Sequence, residues 1–177
     1  MTVTTPMDNN SFGSIETILP HRGTMLLLDG VSACTDETLT AYASVRADAW
    51  YVDADGAMPA WIGIELMAQA IAAHVALLAM RAGGQARPGV LLGSRRYEAH
   101  IPAYARGARL RIEVKELLRG DEGHGAYECS IHHDQKHDQK HDQSHDQNRS
   151  SVCCAEAVIK VYQPADFQSF IAGSFGS

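Results

Sequence analysis

Two polar side chains suited to acid–base chemistry lie one helical turn apart in an otherwise apolar segment. Residues 58–78 read MPAWIGIELMAQAIAAHVALL, with Glu65 near the start and Gln69 four positions later. Residues four apart share a helix face, so Gln69 can hydrogen-bond Glu65 and fix its rotamer. A buried carboxyl group favours its neutral form, which would make Glu65 a candidate general acid. The alternative is that Glu65 lies at a helix edge or pairs with an arginine such as Arg95 or Arg96.

The start of the same helix predicts a second kind of site. The first backbone N–H groups of a helix have no acceptor within it, and the helix dipole is positive there. We therefore expect the N–H groups around Ala60 to Gly63, including that of Trp61, to hold a carbonyl oxygen that gains negative charge. A carboxylate one turn further on would suit proton transfer beside an enolising thioester.

These residues need a scaffold, and the hydrophobic pattern predicts one long helix among strands. Residues 58–80 predict a helix of about six turns with Pro59 in its first position. Two strand-like runs precede the helix and four follow it: TMLLLDGVSAC, TLTAYASVR, VLLGSRRYEAHI, ARLRIEVKELL, GAYECSI and CCAEAVIKVY. A helix that is apolar on nearly every side must be enclosed, so we expect an α+β domain whose sheet wraps around it. The domain is expected to cover residues 14–163, between a flexible N-terminus (1–13) and a C-terminal tail (164–177).

The composition of the 177 residues argues against several classes of protein. The chain is 45% hydrophobic and 20% charged, which is typical of one globular domain. Its net charge of −6 disfavours general nucleic-acid binding, which needs a basic surface. The N-terminus lacks a basic region followed by an apolar one, so we expect a cytoplasmic protein whose four cysteines are reduced and mostly buried. A membrane span at 57–80 is disfavoured because it would contain Glu65, Gln69 and His74.

One segment stands apart from the predicted core. Residues 133–148 are four tandem tetrapeptides, HDQK, HDQK, HDQS and HDQN. An all-polar repeat buries no apolar surface, so it predicts a flexible loop between two strands of a hairpin. The repeated histidines could bind a metal on one helix face. We expect no dedicated metal site, because ligands alone do not form a preorganised one.

Several segments together resemble one enzyme family. IETILPHRGTMLLLDGV looks like the opening of the hotdog-fold 3-hydroxyacyl-[acyl-carrier-protein] dehydratases, and MPAWIGIELMAQA resembles their central-helix motif. LLGSRRYEAHIPAYARGARLRIEVKELL and CCAEAVIKVY resemble the later strands of that family. The similarity covers most of residues 14–163, apart from the repeats.

The resemblance implies a hotdog fold, with an antiparallel sheet around the central helix, in a dimer whose active sites lie at the subunit interface. It also implies dehydration of a 3-hydroxyacyl thioester to a trans-2-enoyl thioester on the phosphopantetheine arm of an acyl carrier protein, without another cofactor or a metal. Glu65 falls on the family's glutamate, which helps to expel the β-hydroxyl group as water. The residues expected to bind substrate are Ala60, Trp61, Gln69 and Gly93.

The chain departs from the family at the catalytic histidine. Alignment of the helix motif without gaps places Tyr51 at that position, and Ala60 replaces the family's glycine. A neutral phenol is a poor base near neutral pH. His21 is the candidate replacement within the chain, whereas His74 and His100 are expected to be a core or edge histidine and a surface histidine. The helix motif resembles most closely the dehydratase-like proteins of bacterial aryl-polyene gene clusters, for which a second, histidine-bearing subunit is the expected source of the base.

Basic side chains are concentrated in residues 81–111, which contain seven arginines and a single acidic residue, Glu98. Acyl carrier proteins are acidic, so this segment predicts a docking surface for one, with Arg95 and Arg96 as its contact residues. The alternative is a solvated strand face with unrelated arginines.

Three functions stay open from the sequence. The first is a dehydratase in which Glu65 is the acid and His21 or a partner's histidine is the base. The second is a non-catalytic hotdog subunit that stabilises an active dehydratase, a function that Tyr51 favours. The third is an acyl thioesterase of the same fold, in which the carboxylate activates water. The dimer could be homomeric or heteromeric.

Overall fold

A long helix lies against one face of a six-stranded antiparallel sheet. The computed structural model describes residues 12–134 and 151–174. Its elements are α1 (Ile15–Ile18), a 3₁₀ turn (Gly23–Met25), β1 (Gly30–Cys34), β2 (Thr38–Ser44), β3 (Met58–Pro59), a second 3₁₀ turn (Ala60–Ile62), α2 (Gly63–Arg81), β4 (Val90–Ala99), β5 (Ala103–Tyr104), β6 (Arg109–Arg119), β7 (His124–Asp134), β8 (Ser151–Tyr162) and α3 (Phe167–Ser174).

The strand order explains how the sheet encloses the helix. The order is β1-β2-β6-β7-β8-β4, and every neighbouring pair is antiparallel. β2 alternates between buried and half-buried residues, so Leu39, Ala41 and Ala43 face the core. α2 contacts β1, β2, β6, β7 and β8. The predicted antiparallel sheet around one long central helix is confirmed.

The helix is a core element over most of its length. Met67, Ala70 and Ala73 are completely buried. The segment Ala60–Arg81 is long and apolar enough to cross a membrane by length and composition, and 61% of its most apolar stretch is buried inside the fold. This burial is what a helix wrapped by a sheet requires.

The predicted start of the helix is wrong by a few residues. Met58 and Pro59 instead pair with Tyr104 and Ala103 of β5, and a 3₁₀ turn separates them from α2. The α-helix begins at Gly63, where an added Cβ would lie 2.6 Å from the hydroxyl oxygen of Tyr97. The absence of a side chain at this position therefore allows β4 and the helix to approach each other closely.

The predicted start of the repeat loop needs correction, and the predicted tail contains a helix. β7 extends through Asp134, and His133 pairs with Val152 of β8, so the first repeat begins inside a strand. The hairpin between β7 and β8 is confirmed, whereas residues 135–148 lie outside the described residues. The tail contains α3, which was not predicted. An aspartate before a helix is a recognised capping signal, and Asp166 does cap α3: it accepts a hydrogen bond from the Ser169 N–H at 3.0 Å.

The N-terminus and the cysteines agree in part with expectation. Phe12 packs against the core, while the rest of the predicted flexible segment 1–13, apart from Gly13, lies outside the described residues.

All four cysteines are free thiols. Cys129 and Cys154 are buried, but Cys34 and Cys153 are only half-buried.

His74 is a core histidine, as predicted. Its side chain is completely buried on α2, its Nε2 lies 3.1 Å from the Thr35 carbonyl oxygen, and its ring meets the edge of Tyr127 at 5.9 Å. Burial lowers the pKa of His74 below its usual value, more than the Thr35 carbonyl and the nearby Glu116 carboxylate raise it.

This depressed pKa predicts a loss of stability in mild acid. Below about pH 6.5 the unfolded chain binds a proton at His74 that the folded chain does not, so the free energy of unfolding falls as the pH drops towards the folded pKa. Above that pH the group is neutral in both states and contributes no pH dependence. We expect His74→Gln to flatten the stability profile below about pH 6.5, measured by urea unfolding. His124→Gln, at an exposed position, is the control; equal profiles for wild type and His74→Gln would contradict the prediction.

Candidate functional site

The amide of Gln69 joins the loop before β1 to helix α2. The side chain is completely buried. Its Nε2 donates to the Met25 carbonyl oxygen at 2.8 Å and to Glu65 Oε1 at 2.9 Å, while its Oε1 accepts from the Leu27 N–H at 3.0 Å. The Leu27 N–H can only donate, so it fixes the orientation of the amide. The predicted bond to Glu65 is present, and Gln69 also anchors the loop.

Glu65 presents a partly open carboxylate. Its side chain is 37% exposed, and among the described residues Oε2 accepts no hydrogen bond. Of the alternatives that the sequence left open, the partly exposed side chain agrees with a position at a helix edge and not with full burial. The alternative pairing with Arg95 or Arg96 is also wrong, since Arg96 pairs with Glu98 and the partners of Glu65 are Gln69 and His21.

His21 is brought to the same carboxylate. Its Nε2 lies 3.9 Å from Glu65 Oε1, and its side chain is 30% exposed. The separation is longer than a hydrogen bond. The loop that carries it is fixed by the Arg22 guanidinium, which donates to the carbonyl oxygens of Leu19 and His21 at 2.6 and 2.7 Å. The sequence candidate His21 thus lies beside Glu65.

The two ring nitrogens of His21 have different surroundings. Nδ1 is buried and has no hydrogen-bond partner in the described part of the chain. Nε2 faces the Glu65 carboxylate at 3.9 Å. A negative charge on that side favours the tautomer with a proton on Nε2, in which His21 presents a donor to Glu65.

Tyr51 is a buried residue beside Trp50. It is buried, at 7% exposure, and packs edge-on against Trp50 with ring centroids 5.6 Å apart. Within the described ranges no hydrogen bond joins its hydroxyl group to Glu65 or His21. Trp50 itself donates from Nε1 to the Thr24 carbonyl oxygen at 2.9 Å, at the start of the loop that Gln69 anchors.

The predicted carbonyl site at the helix start is largely occupied by the protein itself. The Ala60 N–H donates to the Pro102 carbonyl oxygen at 3.0 Å, and the Gly63 N–H donates to the Ala60 carbonyl oxygen. The Tyr97 hydroxyl group donates to that same oxygen. The expectation that the N–H groups of Ala60 and Gly63 are free is wrong. Trp61 remains a candidate contact, since its side chain is 62% exposed.

A cavity that the sequence did not predict adjoins His21. Its volume is about 240 Å³, and it lies between the face of α2 that continues from Glu65, the loop before β4 and the start of α3. Its lining includes Ile18, His21, Ala72, Ala76, Arg87 and Phe167. Ala72 and Ala76 lie seven and eleven positions after Glu65, a spacing that places all three residues on one helix face. This spacing of small residues was the sequence signal that could have indicated the cavity.

The remaining predicted residues lie on β4, at the edge of the sheet. Gly93 has a φ of 147° at a bulge opposite Lys160, a conformation that favours glycine. Arg95 and Arg96 are exposed, and Arg96 donates from Nε to Glu98 at 3.0 Å. The arginines of residues 81–111 are spread over α2, β4, β6 and the loops, so their sequence clustering does not by itself define one surface.

Comparison with known proteins gives this geometry a context. The family profile described as ApeP-like, ApeP dehydratase, matches residues 13–172. No curated protein matches the chain. The structure is similar to a chain of the dehydratase heterocomplex ApeI:P from Xenorhabdus doucetiae, with a TM-score of 0.76 and 25% identity over 92% of this chain and 98% of that one.

Two further structures share the fold. AziG from S. sahachiroi has a TM-score of 0.52 and 15% identity over 77% of this chain and 90% of its own. The protein smu.793 from Streptococcus mutans UA159, bound to acetyl CoA, has a TM-score of 0.51 and 11% identity over 75% and 86%. The predicted hotdog fold and the predicted likeness to the dehydratases of aryl-polyene clusters are confirmed.

Proposed function

The chain belongs to the ApeP-like dehydratase family, and we propose that it supplies the carboxylate of a dehydratase active site whose base comes from a partner subunit. The observation that carries this proposal is the arrangement of Glu65, held by Gln69 through one oxygen and open at the other, with no base within hydrogen-bond distance of it among the described residues. The substrate is a 3-hydroxyacyl thioester on the phosphopantetheine arm of an acyl carrier protein, and no other cofactor takes part.

The chemistry needs two proton transfers. The partner's base removes the α-proton, and the electrons form an enolate towards the thioester carbonyl. The bond from the β-carbon to oxygen then breaks, a carbon–carbon double bond forms, and Glu65 gives its proton to the departing hydroxyl group, which leaves as water. The Nε2 of His21 lies 3.9 Å from Glu65 Oε1, so a small side-chain movement would let it help to orient the carboxyl group. After water leaves, the proton held by the partner's base returns to Glu65 and restores the acid.

The surface around the site supports a heterodimer. The ApeI:P structure is a heterocomplex. In this chain, large apolar side chains remain exposed beside the Gln69-anchored loop and the helix start: Met25 at 51%, Trp50 at 54% and Trp61 at 62%. β4 has β8 as its one neighbour in the sheet described here, and it exposes Leu91 and Leu92. An open strand edge and an exposed apolar patch both suit a second hotdog subunit.

The cavity beside His21 suits the acyl group. It is lined by His21, which lies beside Glu65, and by Ala72 and Ala76 of α2. Most of its lining residues are apolar, as the hydrocarbon part of an acyl group requires.

A second candidate is a non-catalytic subunit. The burial of Tyr51 at the position of the family's histidine favours it, because a buried phenol beside Trp50 serves packing. In that case Glu65 would contribute nothing to the rate of the complex.

Mass spectrometry of a carrier-bound 3-hydroxyacyl substrate separates these functions. We expect no loss of water with this protein alone and loss of one water with the complex of this chain and a histidine-bearing hotdog subunit. Water loss by the protein alone would place the base within this chain and overturn the heteromeric proposal. Release of a free acid would indicate the thioesterase alternative, which the family match disfavours.

Carrier docking at β4 is a separate prediction. Arg95 is exposed, whereas Arg96 is already paired with Glu98, so we expect Arg95→Glu to weaken binding of an acidic carrier about three- to tenfold at low salt. Arg96→Glu is the matched comparison and should have the smaller effect. Affinities would be measured by surface plasmon resonance at two salt concentrations. Unchanged affinity for Arg95→Glu at low salt would contradict the docking surface.

A further inference from the structure

Three side chains of metal-ligand type lie together at the start of β8. His100 follows the last residue of β4, and Cys153 and Glu156 belong to β8. One ligand atom from each lies within 4.8 Å of the other two. The closest pair is His100 Nε2 and Glu156 Oε2, at 3.3 Å. We refer to these three residues as the β8 cluster.

Backbone pairing fixes the positions of the β8 cluster. Ala99 pairs with Ala155 and Glu98 pairs with Glu156 in the β4–β8 ladder. The His100 N–H donates to the Cys154 carbonyl oxygen at 2.8 Å, which ties the residue after β4 to the same strand. The three Cα positions are therefore set by the sheet, and only side-chain torsions remain to be ordered on binding.

From this geometry we propose that the β8 cluster binds a divalent metal ion of the zinc type, with Cys153 Sγ, a ring nitrogen of His100 and a carboxylate oxygen of Glu156 as its three protein ligands. Zinc accepts this ligand set in tetrahedral geometry, and three protein ligands leave the fourth position for water. Ligand atoms at zinc distances of about 2.0–2.3 Å are separated by roughly 3.4–3.8 Å in a tetrahedron. The His100–Glu156 spacing is close to that range, and the sulfur needs at most about 1 Å of side-chain movement.

The Glu156 carboxylate is accessible to a cation. Its side chain is 60% exposed and its Oε2 lies 3.3 Å from His100 Nε2. Arg96 on the neighbouring strand pairs with Glu98 and not with Glu156. When the sulfur–metal bond forms, the Cys153 thiol loses its proton to solvent.

The β8 cluster differs from the site at Glu65 and does not rest on the proposed dehydratase function. His100 and Glu156 are exposed, so an ion can reach the cluster from solvent. A metal there would clamp the end of β4, an edge strand, onto β8. This assigns a structural metal where the sequence predicted none, because the ligands come from two strands that are distant along the chain.

Cobalt titration of the reduced full-length protein tests the proposal. Co²⁺ bound through a cysteine gives a thiolate-to-cobalt charge-transfer band in the near ultraviolet, which the histidines and aspartates of residues 133–148 cannot produce. We expect this band in the wild type, its loss in Cys153→Ser, and its retention in Cys34→Ser, a matched substitution at the other half-buried cysteine. Glu156→Gln removes one of the three ligands but leaves the sulfur. It should keep the band but weaken Co²⁺ binding more than about tenfold, because loss of even an outer-shell partner costs about 10–100-fold in metal affinity.

Thermal unfolding with Zn²⁺ gives a second readout. Zn²⁺ should raise the melting temperature of the wild type and of Cys34→Ser but not of Cys153→Ser or His100→Ala, since a ligand that binds only the folded state stabilises it. Melting without metal shows that each variant is folded. Cobalt spectra without a sulfur band in the wild type, or a band that persists in Cys153→Ser, would overturn the proposal and assign any binding to other residues.

Discussion

A Glu65→Gln variant, assembled with its histidine-bearing partner, should dehydrate the carrier-bound substrate about 10²- to 10⁴-fold more slowly than wild type. Glutamine has nearly the same shape as glutamate and can still meet Gln69, but it has no proton to give to the departing hydroxyl group. The partner's base and the cavity beside His21 remain intact. We therefore expect kcat to fall while KM changes little, because the lost interaction acts in the transition state.

The measurement is the initial rate of water loss, followed by mass spectrometry of the carrier-bound acyl group. Glu122→Gln, at an exposed position in the turn between β6 and β7, is the matched control and should keep the wild-type rate. A wild-type rate for Glu65→Gln in the complex would show that the partner carries out both proton transfers. The chain would then be a non-catalytic subunit, as the buried Tyr51 suggests.

Sequence periodicity predicted the elements better than their ends. α2 was found because its apolar surface is nearly continuous, but its first turn was misplaced, since Pro59 extends the chain to pair with Ala103, far along the sequence. β7 continues to Asp134 because a strand needs only backbone partners, which β8 supplies. A polar repeat gives no sign of that pairing.

In the site too, contacts between residues close in sequence were predictable and contacts between distant residues were not. The bond between Glu65 and Gln69 was predictable because it joins residues one helical turn apart. The bonds from Gln69 to Leu27 and Met25 join residues more than forty positions apart, so no spacing rule reveals them. The β8 cluster was missed for the same reason: only the ladder brings its strands together.

Gln69 is the second residue whose loss should have a large effect, and here the effect is on stability. Gln69→Met keeps the approximate volume but leaves the Leu27 N–H buried without an acceptor, at about 1–3 kcal/mol. The Met25 carbonyl group lies on a half-exposed residue and can accept a hydrogen bond from water instead, so its lost bond contributes less to the destabilisation. We expect a total loss of about 2–4 kcal/mol, which for a domain of this size lowers the melting temperature by roughly 4–16 °C.

Urea unfolding at constant pH measures this difference, and Glu65→Met provides the comparison. That variant removes the partner of Gln69 on the solvent side but leaves the bonds to the loop, so it should lose less than about 1 kcal/mol. Equal losses for the two variants would mean that Gln69 serves only to orient Glu65. A much larger loss for Gln69→Met would mean that one amide holds the carboxylate and also fastens the loop carrying His21 to the helix, so that the site forms only when the loop is in place.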